Sequence, residues 1–143
     1  MTAAVGYSGT PLWKKLGLTP GLRVWLRDAP DEYWRLCGFD AGDVEIVRAT
    51  ARAFDFGHVF ATHRAELARA LPASARKLVP TGTLWISWPK KSSGVTTDVT
   101  EDTLRELALP LGLVDVKVCA VTEIWSGLKF VWRRERRANV RTG

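Results

Sequence analysis

The segment between residues 89 and 98 concentrates side chains that could bind a ligand. It lies within the stretch "SWPKKSSGVTTDVTED" and supplies two ammonium groups and several hydroxyl donors, from Lys90, Lys91, Ser92, Ser93 and Thr97. Charged and hydroxyl donors of this kind can surround an anion such as phosphate. Glu101 and Asp102 begin the next predicted helix, where their charges would repel an anion from the helix N-terminus. The sequence therefore predicts an anion site on the lysine side of the loop, with a solvated connection that binds nothing as the alternative.

A second segment, "WSGLK", could form another wall of the same site. Trp125, Ser126 and Lys129 belong to it, and the first two are expected in or near the turn of a C-terminal hairpin. An indole at that position can stack on a base or another ring, although plain packing also explains it. Lys129 could instead lie on the solvent face of an alternating strand. We therefore expect a shared site only if the two segments meet in the fold.

No group of residues predicts catalysis or metal binding. His58 and His63 straddle the end of a predicted strand and do not form an HExxH pair. A hydrogen-bonded strand histidine is the simpler interpretation of His58. Cys37 and Cys119 belong to no CxxC motif, so we expect two buried free thiols and neither a disulfide nor a zinc site.

The elements that would position these residues alternate between strands and helices. Strands are predicted at 22–26, 44–47, 54–62 and 83–88, and helices at 31–37, 64–79 and 101–109, with a kink or break at Pro72. Two alternating runs, 114–121 and 128–132, form the hairpin. This order predicts a three-layer Rossmann-like α/β sandwich, with a mostly parallel sheet and an antiparallel hairpin at its C-terminal end.

The later elements resemble the second half of a class I methyltransferase domain, with "LVPTGTLWISW" separating a long helix from the next strand. Methyl-donor sites in such folds need a glycine-rich turn after the first strand and an acidic residue after the second. Here the first turn is "RDAPDEYW", and the second strand runs into Arg48. We therefore expect Asp28 to cap a helix or to interact with the helix dipole, with contact to a ligand as the alternative. We also expect S-adenosylmethionine binding to be disfavoured and no cofactor to be needed.

Composition indicates one domain over residues 1–132, with an N-terminal segment at 1–18 and a basic tail at 133–143. The chain has 143 residues, 46% of them hydrophobic, and a net charge of +6. The tail holds five arginines and one glutamate, or +4, which leaves +2 for the body. No apolar run is long enough to cross a membrane, and the first residues lack the apolar middle of a signal peptide, so we expect a cytoplasmic protein.

Three segments carry a family resemblance. "GYSGTPLWKKLG" (6–17), "WPKKSSGVTTDVTEDTLRE" (88–106) and "GLVDVKVCAVTEIWSGLKFV" (112–131) together resemble the bacterial domain of unknown function 3052 family, over about residues 6–132. The resemblance implies a cytoplasmic bacterial protein with a Rossmann-like fold and brings no established activity. It marks residues 7–12, 89–91 and 125–130, whereas "VWLRDAPDEYW" departs from the family pattern.

The leading hypothesis is a methyltransferase-like domain without catalysis that binds an anionic small molecule or nucleic acid at the 89–98 loop. One alternative is an S-adenosylmethionine-dependent methyltransferase with an atypical donor site. Another is an interaction subunit whose edge hairpin pairs in a homodimer, because an uncovered edge strand is a template for a second chain.

Overall fold

The computed structural model describes residues 9–48 and 53–137, which are built around one six-stranded sheet. The strands follow the order β2-β1-β3-β4-β6-β5. The first four are parallel, and β6 runs antiparallel to both β4 and β5. Their bounds are β1 Arg23–Arg27, β2 Glu45–Ile46, β3 Phe54–Phe60, β4 Leu78–Pro89, β5 Leu113–Ala120 and β6 Trp125–Trp132. This confirms the predicted Rossmann-like α/β class with its C-terminal hairpin.

Helices cover both faces of the sheet. They are α1 Leu12–Leu16, α2 Tyr33–Cys37, α3 Arg64–Lys77, α4 Glu101–Ala108 and α5 Arg134–Arg137. On one side, called the α1 face, the core joins the first two helices to the sheet through Leu16, Tyr33, Cys37, Phe56, Phe60 and Trp85. On the other side, called the α3 face, the core includes Leu67, Leu71, Ala75, Leu104, Ile86 and Phe130. The two cores make three layers.

The strand β4 begins earlier than the sequence indicates. Residues 80–82, which lie between the predicted helix at 64–79 and the predicted strand at 83–88, are extended and belong to this strand. The strand follows α3 directly, and the helix continues through Pro72 to Lys77. A side chain at Gly82 would place its Cβ 2.9 Å from the carbonyl oxygen of Asp55. Glycine therefore permits a close approach of two strands here, beside the irregular register between Phe54 and Phe56.

The turn of the hairpin lies before the predicted residues. Trp125 is the first residue of β6, and Ser126 and Gly127 lie within the strand. The Thr122 hydroxyl accepts hydrogen bonds from the backbone N–H groups of Ile124 and Trp125, both at 3.0 Å, which closes the turn at 121–124. Gly127 serves packing, because a Cβ there would lie 3.0 Å from Val121.

Both ends of the chain are described only in part. The family-marked residues Tyr7 and Ser8, and positions 138–143 of the predicted tail, lie outside the described residues. Within the described part of the tail, Arg136 lies over the ring of Trp132 at 5.9 Å, and the Arg137 side chain donates to the Trp132 carbonyl. The start of the tail therefore contacts the domain. No helix among the described residues is long and apolar enough to cross a membrane.

Candidate functional site

The carboxyl ends of β1, β3 and β4 meet at one edge of the sheet, called here the carboxyl edge. The chain passes from β1 outward to β2 and returns to β3 on the opposite side of β1. The strand order therefore reverses between β1 and β3. In open α/β sheets, ligands bind in the crevice outside the carboxyl ends at such a switch point.

The turn after β1 keeps a backbone shape that glycine usually supplies. Asp28 has a φ of 57°, and it is the one non-glycine residue with positive φ in the described ranges. Its side chain lies near Arg27, at 3.8 Å, and does not cap α2, whose N-cap residue is Glu32, so the predicted capping role is wrong. Two positions later, Pro30 has no N–H to offer a ligand. The turn therefore has a left-handed bend at Asp28 and lacks a backbone donor at Pro30.

A buried polar network lies beneath this edge. The Tyr33 hydroxyl is 2.9 Å from Nδ1 of His58, and Nε2 of His58 is 2.8 Å from the Ser87 hydroxyl. Burial lowers the pKa of His58 to about 3, so the imidazole is neutral, with one ring nitrogen donating and the other accepting. This confirms the prediction of a hydrogen-bonded strand histidine. Ser87 resembles a nucleophile beside its base, but its side chain is fully buried and no substrate can reach it.

A cleft of about 420 Å³, called the edge cleft, opens between the start of α2 and the β5–β6 turn. It is lined by Pro30, Glu32, Leu36, Thr122, Glu123, Ile124 and Trp125. Leu36 and Ile124 are 37% and 44% exposed, so they give the cleft uncovered apolar walls. The indole of Trp125 meets the ring of Phe60, at the end of β3, edge to face at 5.1 Å. The size lies within the range of small-molecule sites.

The charge of the edge cleft is negative. Glu32 and Glu123 are both exposed, and neither takes part in an ion pair with another described residue. Neither carboxylate was predicted as a site residue, because Glu32 stands beside α2 and Glu123 in the hairpin turn, far away in sequence. The exposed side chain of Ile124 also marks the cleft, but its exposure cannot be read from the sequence before the strands are placed.

The predicted loop uses many of its polar groups for its own structure. The Ser93 hydroxyl donates to the Lys90 carbonyl at 2.7 Å, and the Thr97 hydroxyl donates to the Thr62 carbonyl at 2.7 Å. Ser92 and Lys91 are exposed. A cavity of about 260 Å³ lies at the base of the loop, lined by Trp88, Pro89, Lys91, Thr97, Val99, Thr100 and Glu101. A carboxylate thus shares this cavity with the lysine.

The two predicted segments meet, but not all of their site residues converge. Pro89 pairs with Trp125, and the Lys90 N–H donates to the Ile124 carbonyl at 2.8 Å. Ser126 follows Trp125 in the strand, so the pleat turns it to the opposite face. Lys129 lies opposite Trp85, deeper in the sheet, and lines neither the edge cleft nor the loop cavity.

The sequence matches no protein-family model and no curated protein. The resemblance to the domain of unknown function 3052 family therefore stays an expectation.

Solved structures with a similar fold include SAM-dependent methyltransferases and a protein in complex with SAM. LepI in complex with SAM superposes with a TM-score of 0.51 and 15% identity, over 85% of this chain and 39% of LepI. Magnesium protoporphyrin IX methyltransferase (ChlM) from Synechocystis PCC 6803 with bound SAM superposes with a TM-score of 0.55 and 11% identity, over 80% of this chain and 71% of ChlM. A TehB-like SAM-dependent methyltransferase from Corynebacterium glutamicum superposes with a TM-score of 0.56 and 12% identity, over 84% of this chain and 85% of the methyltransferase. The chain therefore has a methyltransferase-like Rossmann fold.

Proposed function

We propose that the protein is a methyltransferase-like domain that binds a positively charged, partly apolar small molecule in the edge cleft. The observation that carries this proposal is the pairing of two carboxylates, Glu32 and Glu123, with exposed apolar walls and an indole in one cleft at the carboxyl edge. Carboxylates without a partner favour a cation, and an indole face adds a cation–π contribution. The leading sequence hypothesis, an anionic ligand, does not match the charge of this cleft.

S-adenosylmethionine is the first candidate ligand. It carries a sulfonium and an ammonium group beside a flat adenine ring, and LepI and ChlM hold it on the same fold. The turn after β1 does not fit the donor in the usual way, because Pro30 lacks an N–H and Arg48 follows β2 in place of an acidic residue. We therefore place the donor in the edge cleft, which corresponds to the atypical donor site considered above.

Calorimetry with S-adenosylmethionine and S-adenosylhomocysteine tests this proposal. The second ligand lacks the sulfonium charge, so we expect the wild-type protein to bind it less tightly. The double variant Glu32→Gln with Glu123→Gln should lose most of that preference, because it removes the two carboxylates while preserving side-chain size.

A matched control is Glu106→Gln with Glu135→Gln, which changes the net charge equally at residues that do not line the edge cleft. It should bind both ligands as the wild type does. Absence of binding to either ligand, or equal losses in the two double variants, would contradict the proposal.

An anionic ligand at the 89–98 loop is the second candidate. Lys91 and Thr97 line the cavity there, and Lys90 stands beside it in the chain, which favours an anion. Glu101 lines the same cavity, and its negative charge would repel an anion there. Since the Ser93 and Thr97 hydroxyls already donate to backbone carbonyls, the lysines would have to supply most of the binding.

A further inference from the structure

A second charged surface lies on the α1 face, over the strands β5 and β6. Lys117 stands directly opposite Lys129 across the antiparallel pair, and Cys119 stands opposite Gly127 on the same face. The Lys117 ammonium also donates to the Lys15 carbonyl at 3.3 Å, which holds it beside the end of α1. Positive side chains from two neighbouring strands are therefore gathered on one surface.

The charges of nearby lysines act on the same thiol. Burial raises the pKa of Cys119, and the positive charges of Lys15, Lys117 and Lys90 each oppose that rise. The Lys90 N–H donates to the Ile124 carbonyl at 2.8 Å, which places Lys90 beside the β5–β6 turn, just beyond the end of β4, and its charge acts on the same thiol as that of Lys117. We call the set Lys90, Lys117 and Lys129 the lysine row.

The lysine row lacks an acidic partner in the described part of the chain. All 15 aspartates and glutamates of the sequence lie in the described ranges, and the ion pairs identified there join carboxylates to arginines. None of these pairs includes Lys90, Lys117 or Lys129. The lysine row therefore presents positive charge that these ranges leave without a counter-charge.

Local structure explains only part of the lysine row. A lysine on an edge strand discourages pairing with another chain, which accounts for Lys117 on β5. Lys129 lies on the inner strand β6, where its burial and the nearby charge of Lys117 both lower its pKa. Like charges directly opposite each other destabilise a sheet. The folded state thus gains nothing from this pair, and an external anion would relieve the repulsion.

The extent of the lysine row indicates the kind of anion. Lys129 is opposite Trp85, and Lys90 follows Trp85 by five residues, so the backbone positions that carry the two lysines are separated by roughly 16 Å at 3.3 Å per residue. That distance is longer than one phosphate group. Trp125 lies between them on the same face of β6 and is half-buried, so it presents part of its ring beside the row. Lysines along a backbone path with an aromatic ring beside them are typical of single-stranded nucleic-acid binding.

We propose that the lysine row binds the phosphate backbone of a single-stranded nucleic acid. The two lysines that the test replaces, Lys117 and Lys129, do not line the edge cleft, whereas Trp125 borders both surfaces.

Fluorescence anisotropy with labelled oligouridylate and oligothymidylate, titrated over a range of salt concentrations, tests the proposal. The double variant Lys117→Gln with Lys129→Gln should weaken binding at low salt by roughly tenfold or more and reduce the salt slope by about 1.4, for two lost phosphate contacts. Its melting temperature should not fall, since the substitution removes a like-charge pair. Comparing the two oligonucleotides shows whether RNA is preferred.

The control is Arg69→Gln with Arg76→Gln, which removes the same charge from exposed positions of α3, on the opposite face. This variant should keep the wild-type salt slope. Equal weakening in both double variants would overturn the proposal, because binding would then follow net charge alone. Absence of oligonucleotide binding would overturn it as well, as would displacement of the oligonucleotide by an equal concentration of inorganic tripolyphosphate, which would assign the row to a small anion.

Discussion

His58 illustrates how a histidine inside a sheet can hold elements together. Its ring is fully buried, and its two nitrogens contact Tyr33 of α2 and Ser87 of β4. The neutral ring matches this pair of hydroxyls, because each hydroxyl can act as donor or acceptor. Removal of one partner would leave a buried polar group unsatisfied, at a cost of about 1 to 3 kcal/mol.

The burial of His58 predicts a loss of stability in acid. The unfolded chain takes up a proton on this side chain near the ordinary histidine pKa of 6.5, whereas the folded protein resists protonation until about pH 3. As pH falls below 6.5, His58 should therefore lower the free energy of unfolding by up to about 1.4 kcal/mol per pH unit, until the folded pKa is reached. Urea unfolding measured across this pH range checks the slope.

The variants His58→Gln and His63→Gln separate this effect from general acid sensitivity. Glutamine does not titrate, so His58→Gln should be less stable at neutral pH and should show a shallower decline towards acid. His63 is exposed, and its replacement is the matched control for the loss of one histidine side chain. An unchanged slope in His58→Gln would show that other groups cause the acid sensitivity.

At the scale of elements, the segment between β4 and α4 acts as a structural connection. The Asp98 carboxylate accepts a hydrogen bond from the Arg64 N–H at 2.7 Å, at the start of α3, where the N-cap residue His63 makes no side-chain cap. Thr100 and Thr103 form a capping box at the start of α4. One loop therefore satisfies orphan N–H groups at the starts of two helices.

Removal of each cap should destabilise the protein separately. We expect Asp98→Ala and Thr100→Ala each to lower the free energy of unfolding by about 1 kcal/mol, because each exposes a helix N-terminus. The caps serve different helices, so the double variant should lose nearly the sum. Asp102→Ala, at an exposed carboxylate that contacts Arg105, is the control and should change stability by about 0.5 kcal/mol or less. Chemical unfolding of the four variants would contradict this account if Asp98→Ala matched the control.

The sequence predicts elements better than it predicts contacts between them. Leu67, Leu71 and Ala75 are spaced for a helix and are buried on one face of it, so α3 was predictable. The role of Asp98 as a cap of α3 was not predictable, because the sequence places Asp98 beside α4, whereas its partner Arg64 lies 34 residues away. The left-handed turn at Asp28 was hidden for a different reason. Aspartate adopts that conformation more often than most non-glycine residues, but still too rarely for its residue type to predict the turn.

The candidate site also has parts that the sequence predicts and parts that it does not. The sequence raised the meeting of the 89–98 loop with Trp125 as a hypothesis, from their places at strand ends, and the backbone pairing of Pro89 with Trp125 supports it. The edge cleft was not expected, because Glu32 and Glu123 come together only when α2 and the β5–β6 turn are placed over the same edge. Charge in the sequence favoured an anion, whereas the placement of charge in the fold is the basis on which we propose a cation in the edge cleft and an anion on the α1 face.

At the scale of the whole molecule, β5 forms one edge of the sheet. Val116 and Val118 are 54% and 56% exposed there, and an apolar edge strand can pair with another chain. Two features oppose that pairing. The register shifts between Asp115 and Lys117, which interrupts the regular pattern of backbone groups, and Lys117 places a charge between the two valines.

We therefore expect the protein to remain a monomer in light scattering, and the homodimer alternative would need another surface. Lys117→Val should increase self-association, because it creates three consecutive valines on the free edge and removes the charge that separates two copies. Lys14→Val, at an exposed position of α1, is the matched control for the gain of one apolar side chain. If the wild type is a dimer and Lys117→Val does not strengthen it, the interface lies away from β5. If the wild type is a dimer that dissociates when charged residues replace both Val116 and Val118, the edge strand pairs despite its irregular register.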